Sequence, residues 1–85
     1  MPDDYAERRR YALGQAVYER REQRGLSQEV LAALLGFDRK TISRLENGHH
    51  SITVDRFWRL ADALEVTIGE LEAAANEIIQ RQGRQ

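Results

Sequence analysis

Residues 27–48, SQEVLAALLGFDRKTISRLENG, hold two short helical patterns separated by Gly36, Phe37 and Asp38. Apolar residues recur at helical spacing on both sides of this break, which predicts helices at about residues 28–35 and 39–47. Gly36 can adopt the positive φ that a sharp turn requires. Two short helices with such a connection are typical of a helix–turn–helix motif.

Capping residues mark where helices begin. Four residues that favour the N-cap position each follow an apolar residue, and a second apolar residue lies four positions after each of them. This is the spacing of a hydrophobic staple. They are Ser27, Asp38, Thr53 and Thr67. Glu70 completes a capping box with Thr67. Since Pro2 is the only proline, the pattern predicts an all-α fold whose other helices span about residues 4–24, 54–64 and 68–79.

The chain of 85 residues is long enough for one domain. The predicted helix at about residues 4–24 is helix 1. We divide the chain into an N-terminal extension of helix 1 (1–12), a helix–turn–helix domain (13–72) and a C-terminal helical tail (73–85), with residues 80–85 expected to fray. The expected core residues are Leu13, Val17, Leu26, Leu31, Ala32, Leu35, Ile42, Leu45, Val54, Phe57, Leu60, Ala61, Leu64, Val66, Ile68 and Leu71.

The composition excludes several classes of protein. The chain has no cysteine, which excludes disulfide scaffolds, thiolate zinc sites and Cys nucleophiles and suits a reducing cytosol. No apolar run reaches the roughly 20 residues that span a bilayer, and the N-terminus lacks the apolar segment of a secretory signal. No phosphate-binding glycine loop or nucleophile–base–acid set is present. We expect a cytoplasmic protein that is not an enzyme and needs no cofactor or metal.

Charge is distributed unevenly along the chain, although the net charge is only −1. Residues 8–50 carry nine Arg or Lys against five Asp or Glu, a balance of +4, while both flanking segments are acidic. A basic middle can face phosphates on one side. The alternative, a set of solvated helix faces, is equally compatible with charge alone.

The second helix of the motif has one side without acidic residues. On a helical wheel, Ile42 and Leu45 mark the inward side, and the donor-bearing residues fall within an arc of about 140°. These residues are Arg39, Lys40, Ser43, Arg44 and Asn47. Such side chains can reach base edges in the major groove of DNA. A merely solvated helix face normally mixes both charge signs, so the pattern favours DNA contact.

Basic residues near the end of helix 1 have two expected roles. Glu46 lies between the inward and outward sides of its helix, and a lone carboxylate there needs a basic partner late in helix 1. Arg20 and Arg24 lie at the end of helix 1 nearest the turn, which makes them candidates for phosphate contact. Residues 8–10, three successive arginines, either touch flanking phosphates or are solvated.

Residues 13–71 resemble the XRE, or phage-repressor (Cro/CI-like), helix–turn–helix family. The resemblance is carried by RGLSQ, the LA pair, the turn glycine, the TISRLENG ending of the second motif helix and ALEVTIGEL further on. It implies a five-helix, lambda-repressor-like bundle that binds an operator in double-stranded DNA, usually as a homodimer. The function it implies is sequence-specific transcriptional regulation, with repression favoured.

The resemblance also implies roles for individual residues. Base contacts would come from the predicted helix at residues 39–47. Backbone contacts would come from the start of the predicted helix at residues 28–35, from the helix at residues 39–47 and from the loop after it. The expected base contacts are Arg39, Lys40, Ser43 and Arg44. The expected backbone contacts are Gln28, Thr41, Asn47 and His49, together with Arg20 and Arg24. Arg21 would be the buried partner of Glu46 in a structural ion pair.

This sequence departs from the family pattern at three places. Asp38 stands where Ser or Thr often caps the helix expected to contact bases, at residues 39–47. Its charge lies near the expected phosphates. His49 and His50 stand where a basic residue is common, so phosphate attraction there should rise as the pH falls. A metal site at these two histidines is disfavoured because no third ligand is nearby. Ile52 replaces a common proline, which should leave that loop less rigid.

The surface for a second copy is left open by the sequence. Trp58 and an apolar strip of Leu71, Ala75, Ile78 and Ile79 would form a dimer seam if exposed, and the operator would then be pseudo-palindromic. Alternatively, these residues fold onto their own core. A different function on the same fold is an antitoxin-like module whose main partner is another protein, for which a disordered apolar tail would argue.

Overall fold

The computed structural model describes residues 4–83, which form five α-helices and no strand. They are α1 (Asp4–Gln23), α2 (Gln28–Leu35), α3 (Arg39–Glu46), α4 (Val54–Leu64) and α5 (Ile68–Gly83). The predicted all-α, five-helix architecture is confirmed. None of these helices is long and apolar enough to cross a membrane.

The capping chemistry read from the sequence is present at all four helix starts. The side chains of Ser27, Asp38 and Thr53 each accept a hydrogen bond from the backbone N–H three residues later. Thr67 and Glu70 exchange two such bonds, at 2.8 and 3.0 Å, as a capping box requires. Local side-chain chemistry therefore sets where four of the five helices begin.

The helix ends agree less closely with the sequence. Gly36 ends α2 with φ at 71°, in the left-handed region that favours glycine. Glu65 ends α4 in the same region, with φ at 59°, where the sequence has no glycine to signal it. Helix α5 continues through Gly83, although residues 80–85 were expected to fray; residues 84–85 lie outside the described residues.

The predicted domain divisions coincide with no break in a helix. Helix α1 runs continuously past residues 12 and 13, and α5 past residues 72 and 73. Residues 1–3, which belong to the predicted N-terminal extension, lie outside the part of the chain that the structure describes.

The core is built mainly from the predicted apolar positions, with one error. Val54 was expected in the core but is 60% exposed. It is the first residue of α4, and Trp58, one turn later, is also exposed. Both lie to one side of the buried stripe formed by Leu60, Ala61 and Leu64. The prediction missed Ala12 and Ala16, whose small side chains are buried on α1.

The tail expected as a possible dimer seam is largely part of the core. Leu71, Ala75 and Ile78 of α5 are buried, and Ile79 is half-buried. Helix α5 packs mainly along α1. The α1–α5 packing is supplemented by Arg9, which donates to Asn76 at 3.2 Å and pairs with Glu72. The alternative reading, in which the tail folds onto its own core, is the one the structure adopts.

Gly14 lets α1 approach the C-terminal end of α3 closely. A Cβ atom added to Gly14 would lie 2.4 Å from the Leu45 carbonyl oxygen and 2.5 Å from that of Glu46. Gln15, beside it, donates from Nε2 to the Glu46 carbonyl oxygen at 3.1 Å. Since the last four carbonyl groups of a helix lack partners within it, this contact both satisfies a carbonyl and fixes the position of α3.

Candidate nucleic-acid interface

Helices α2 and α3 meet through apolar side chains and a short turn. The turn is closed by a 2.9 Å hydrogen bond from the Phe37 N–H to the Ala32 carbonyl, a C-cap arrangement allowed by Gly36. Ile42 and Leu45 of α3 are buried in the same core as Leu31 of α2. Helix α3 is therefore held by its apolar side, and its other side is left to solvent.

The outward side of α3 carries donors and no carboxylate. Arg39, Lys40, Arg44 and Asn47 are exposed, and Ser43 is half-buried between them. The first acidic side chain after Asp38, the cap, is that of Glu46, which is 4% exposed. The surface that a major groove would meet is thus a row of cationic and hydroxyl-bearing groups on a fixed helix.

Gln28 connects α3 to the buried part of the site. Its Nε2 donates to Glu46 Oε1 at 2.9 Å, and its Oε1 accepts from Arg39 Nη1 at 3.3 Å. Gln28 is the first residue of α2. This one side chain therefore links the start of α2 to both ends of α3 and orients Arg39 at the exposed surface.

Arg21 and Glu46 are brought together as a buried bidentate ion pair. Arg21 Nε lies 2.6 Å from Glu46 Oε2, and Nη2 lies 3.2 Å from Oε1. Arg21 also donates to the Leu26 carbonyl at 2.7 Å, and its guanidinium lies 5.4 Å from the Tyr18 ring centroid. The hydrogen bonds to Glu46 raise the pKa of Arg21. The pair satisfies both charges inside the fold and ties α1 to α3.

The expected backbone contacts on α3 and its loop have partners of their own. Thr41 Oγ1 donates to Asp38 Oδ1 at 2.7 Å, and Asn47 Nδ2 donates to the Ser43 carbonyl at 2.8 Å. The hydrogen bonds from Thr41 lower the pKa of Asp38, so the cap stays ionised. The His49 side chain is exposed, while its backbone N–H bonds to the Arg44 carbonyl at 2.8 Å.

Arg20 and Arg24, predicted as phosphate contacts, lie at the end of α1 as expected and bond to the end of α4. Arg20 Nε donates to the Leu64 carbonyl at 2.8 Å. Arg24 Nη2 donates to the Ala63 carbonyl at 3.3 Å and pairs with Glu65 at 3.3 Å. These guanidinium groups cap the C-terminal end of α4, which a positively charged group stabilises. These bonds do not test their prediction as phosphate contacts, which stays a prediction.

An aromatic contact that the sequence did not predict joins the turn to the next helix. The Arg56 guanidinium lies 4.4 Å from the Phe37 ring centroid, and the His50 ring meets Phe37 edge-on at 5.8 Å. The sequence signalled Phe37 only as part of a hydrophobic staple. Within residues 4–83, no three His, Cys, Asp or Glu side chains are grouped as metal ligands would be. His49 and His50 therefore have no third such side chain grouped with them in this range.

Comparison with known proteins agrees with this arrangement. A helix–turn–helix family profile matches residues 17–71, more than half of the chain. The chain belongs to the XRE-type helix–turn–helix family. The family resemblance inferred from the motifs of residues 13–71 is thereby confirmed.

Two individual proteins are similar to this chain, one in sequence and one in both sequence and structure. The uncharacterized HTH-type transcriptional regulator y4dJ of Sinorhizobium fredii is 39% identical over 57 residues, 67% of this chain and 74% of that protein. The restriction-modification controller protein C.AhdI of Aeromonas hydrophila is 38% identical, with a TM-score of 0.68 over 72% of this chain and 92% of its own.

A third relative is similar in fold alone. The clp gene regulator ClgR of Corynebacterium glutamicum has a TM-score of 0.87 over 91% of this chain and 82% of its own, at 23% identity. The structural match covers a larger share of the chain than the family match at residues 17–71 does.

Proposed function

We propose that the chain is a sequence-specific DNA-binding transcription regulator that places α3 in the major groove. The observation that carries this is the acid-free, donor-bearing side of α3, exposed while its apolar side is buried. Membership of the XRE-type family and the names of y4dJ and C.AhdI, a transcriptional regulator and a controller protein, support regulation as the outcome.

Base recognition is assigned to Arg39, Lys40, Ser43 and Arg44. Arginine and lysine donate to guanine O6 and N7, and a serine hydroxyl can bond to several base edges. The hydrogen bond from Arg39 to Gln28 supports this role, because a guanidinium already oriented loses less rotamer freedom on binding.

Backbone contact is assigned to Gln28, Thr41, Asn47 and His49. Gln28 begins α2, Thr41 lies in the first turn of α3, Asn47 caps the C-terminal end of α3, and His49 lies in the loop after it. Phosphate contacts set the register of a protein on DNA and carry no sequence information directly. Arg20 and Arg24 also stay proposed as phosphate contacts, at a separate place, because their guanidinium groups lie at the C-terminal end of α4.

A homodimer on a pseudo-palindromic operator is part of the proposal. Val54 and Trp58 lie one turn apart on α4 and are 60% and 57% exposed. Asp55 and Arg59 are likewise exposed and one turn apart, so a two-fold axis here can set Asp55 of one copy beside Arg59 of the other. An isologous interface requires such self-complementary chemistry. Two half-sites about one helical turn apart follow.

Repression is the proposed sign of regulation, because occupying an operator is sufficient to exclude other proteins from it. With chromosomal DNA as its partner, the protein is proposed to act in the cytoplasm and not as an enzyme. The antitoxin-like alternative gains nothing from α5, because its apolar residues are packed on α1.

Selection of bound fragments from a random double-stranded DNA library tests this function. The proposal predicts a single enriched motif with two inverted half-sites. A non-specific DNA competitor at a fixed salt concentration serves as the reference, since phosphate attraction alone binds every sequence. Recovery of no enriched motif would contradict sequence-specific recognition, and an enriched motif without inverted symmetry would contradict the dimer alone.

A further inference from the structure

An open apolar pocket lies between the start of α1 and the loop that joins α3 to α4. Its volume is about 400 Å³, and its walls include the side chains of Tyr5, Leu13, Leu45, Ile52 and Phe57. Leu13, Ile52 and Phe57 are partly buried and pack against the core cluster, so the pocket floor is part of the folded core. This volume falls within the usual range of small-molecule sites, about 300–1,000 Å³.

The rim of the pocket is cationic. Arg9, Arg10 and His50 line it, and none of its lining residues is Asp or Glu. Arg9 pairs with Glu72, which compensates its charge, and donates a hydrogen bond to Asn76. Arg10 also lines a neighbouring polar cleft, where the Glu7 carboxylate is the acidic group and Asn47 and His49 are the polar neighbours. Among residues 4–83, the arginine of this pocket that has an ion-pair partner is Arg9, so Arg10 is the lining arginine whose charge is left to a ligand.

We propose that this pocket binds a small amphipathic carboxylate, with its apolar part on Leu13, Ile52 and Phe57 and its carboxylate at Arg10. An apolar wall with few polar groups at one edge favours a ligand that has an apolar body and a polar group at one end. A carboxylate gains charge-assisted hydrogen bonds from a guanidinium, whereas an ammonium group would be repelled. The charge of the rim thus selects one class of amphiphile.

The site is joined to the proposed DNA-binding surface through the loop. His50, Ser51 and Ile52 line the pocket, and His49, assigned above to the DNA backbone, is the preceding residue. The ligand would accordingly lie against the segment that sets the position of His49. The inference concerns ligand binding in its own right and can be tested without DNA.

Octanoate is a suitable probe. Its binding is measured by NMR, from the amide and methyl chemical shifts of the isotope-labelled full chain. Octan-1-ol and octylammonium, with the same apolar chain, are the matched ligands. We expect saturable binding of octanoate with a Kd near or below about 1 mM, with shifts concentrated at the lining residues. Octan-1-ol should bind about tenfold more weakly, because it lacks the charge-assisted bonds, and octylammonium more weakly still.

Two variants locate the site. Arg10→Gln should weaken octanoate binding about tenfold and leave octan-1-ol binding unchanged, because only the charged contact is removed. Arg8→Gln is the matched control, since Arg8 is a neighbouring arginine that does not line this pocket, and it should bind octanoate as the wild type does. Ala6→Phe, at an exposed lining position, should fill the pocket and abolish binding of both ligands.

Several results would overturn the proposal. One is equal binding of octanoate and octan-1-ol; another is an Arg10→Gln variant that binds octanoate as tightly as Arg8→Gln does. If deleting residues 1–3 shifts the lining residues and octanoate does not, the pocket is occupied by the chain's own N-terminus. If the chemical shifts of the lining residues change with protein concentration alone, the pocket is covered by a second copy of the chain. Failure of DNA binding would leave the octanoate result unaffected, so the two proposals fail separately.

Discussion

The Gln28 side-chain amide donates to the Glu46 carboxylate at 2.9 Å, so the first residue of α2 is bonded to the last residue of α3. Glu46 is in turn paired with Arg21 on α1. The same Gln28 side chain accepts from Arg39 at the exposed surface. A continuous chain of hydrogen bonds therefore runs from a buried ion pair to a residue assigned to base recognition.

Removing Glu46 should destabilise the fold before it affects DNA contact. Glu46→Ala leaves the Arg21 guanidinium, 5% exposed, without its carboxylate, and breaking a buried pair costs about 3–5 kcal/mol. Urea denaturation measures the loss. Glu77→Ala, at an exposed position of α5, is the control and should change the free energy of unfolding by less than about 0.5 kcal/mol. Equal stability of Glu46→Ala and the wild type would contradict the structural role.

Gly14 should not tolerate even a methyl group. Gly14→Ala would bring Cβ to 2.4 Å from a backbone carbonyl oxygen of α3, which forces α1 and α3 apart at a cost of about 1–3 kcal/mol. Gly69→Ala is the matched control, because the nearest atom to its added Cβ is 3.7 Å away. That substitution should be neutral or stabilise by up to about 1 kcal/mol. Similar melting temperatures for the two variants would refute the close approach.

Asp38 should make stability depend on pH in the acidic range. Hydrogen bonds from the Thr41 hydroxyl and N–H lower the pKa of Asp38 below 3.8. The carboxylate's contribution is therefore fully present above its ordinary pKa and is lost as the pH falls through the lower pKa of the folded protein. The free-energy difference between wild type and Asp38→Asn should be constant near neutrality and move in favour of the variant in acid.

Thr41→Val provides the control for that pH dependence, because it removes the hydroxyl donor and keeps the backbone donor. Denaturation at a series of pH values should show a smaller acid-dependent loss in Thr41→Val than in the wild type. An unchanged acid dependence in both Asp38→Asn and Thr41→Val would show that the cap does not titrate as described.

Trp58 should matter for association and not for folding. Trp58→Ala removes a side chain that is 57% exposed, so the melting temperature should change little. Sedimentation on an operator with two half-sites should show loss of cooperative occupancy. Leu34→Ala removes a comparably exposed apolar side chain from α2 and should bind as the wild type does. If both variants retain cooperative binding, the proposed α4 interface is wrong.

Much of the fold was predictable because its signals are local. The side chains of Ser27, Asp38, Thr53 and Thr67 bond to backbone groups three residues away, so the sequence contains both partners within a single turn. The outward side of α3 was predictable for the same reason, since the helical period alone separates Ile42 and Leu45 from the exposed donors.

The remaining features depend on contacts between distant segments. Arg20 and Arg24 bond to the end of α4, which is about 40 residues away in sequence. The left-handed conformation of Glu65 at that end is not signalled by a glycine. Val54 is apolar and follows a cap, yet it lies to one side of the buried stripe of α4 and is exposed. The pocket beside Arg10 exists because the start of α1 passes the loop before α4, a relation that no spacing in the sequence reveals.

The central claim, that the outward side of α3 reads base pairs, is tested most directly by competition binding of Arg39→Ala and Arg44→Ala to the selected operator and to non-specific DNA. Arg81→Ala, which removes an exposed arginine from α5, is the control. Each α3 variant should lose about 1–3 kcal/mol of operator binding and relax specificity at one position, with a smaller change for non-specific DNA. Wild-type affinity and specificity in both α3 variants would contradict the account.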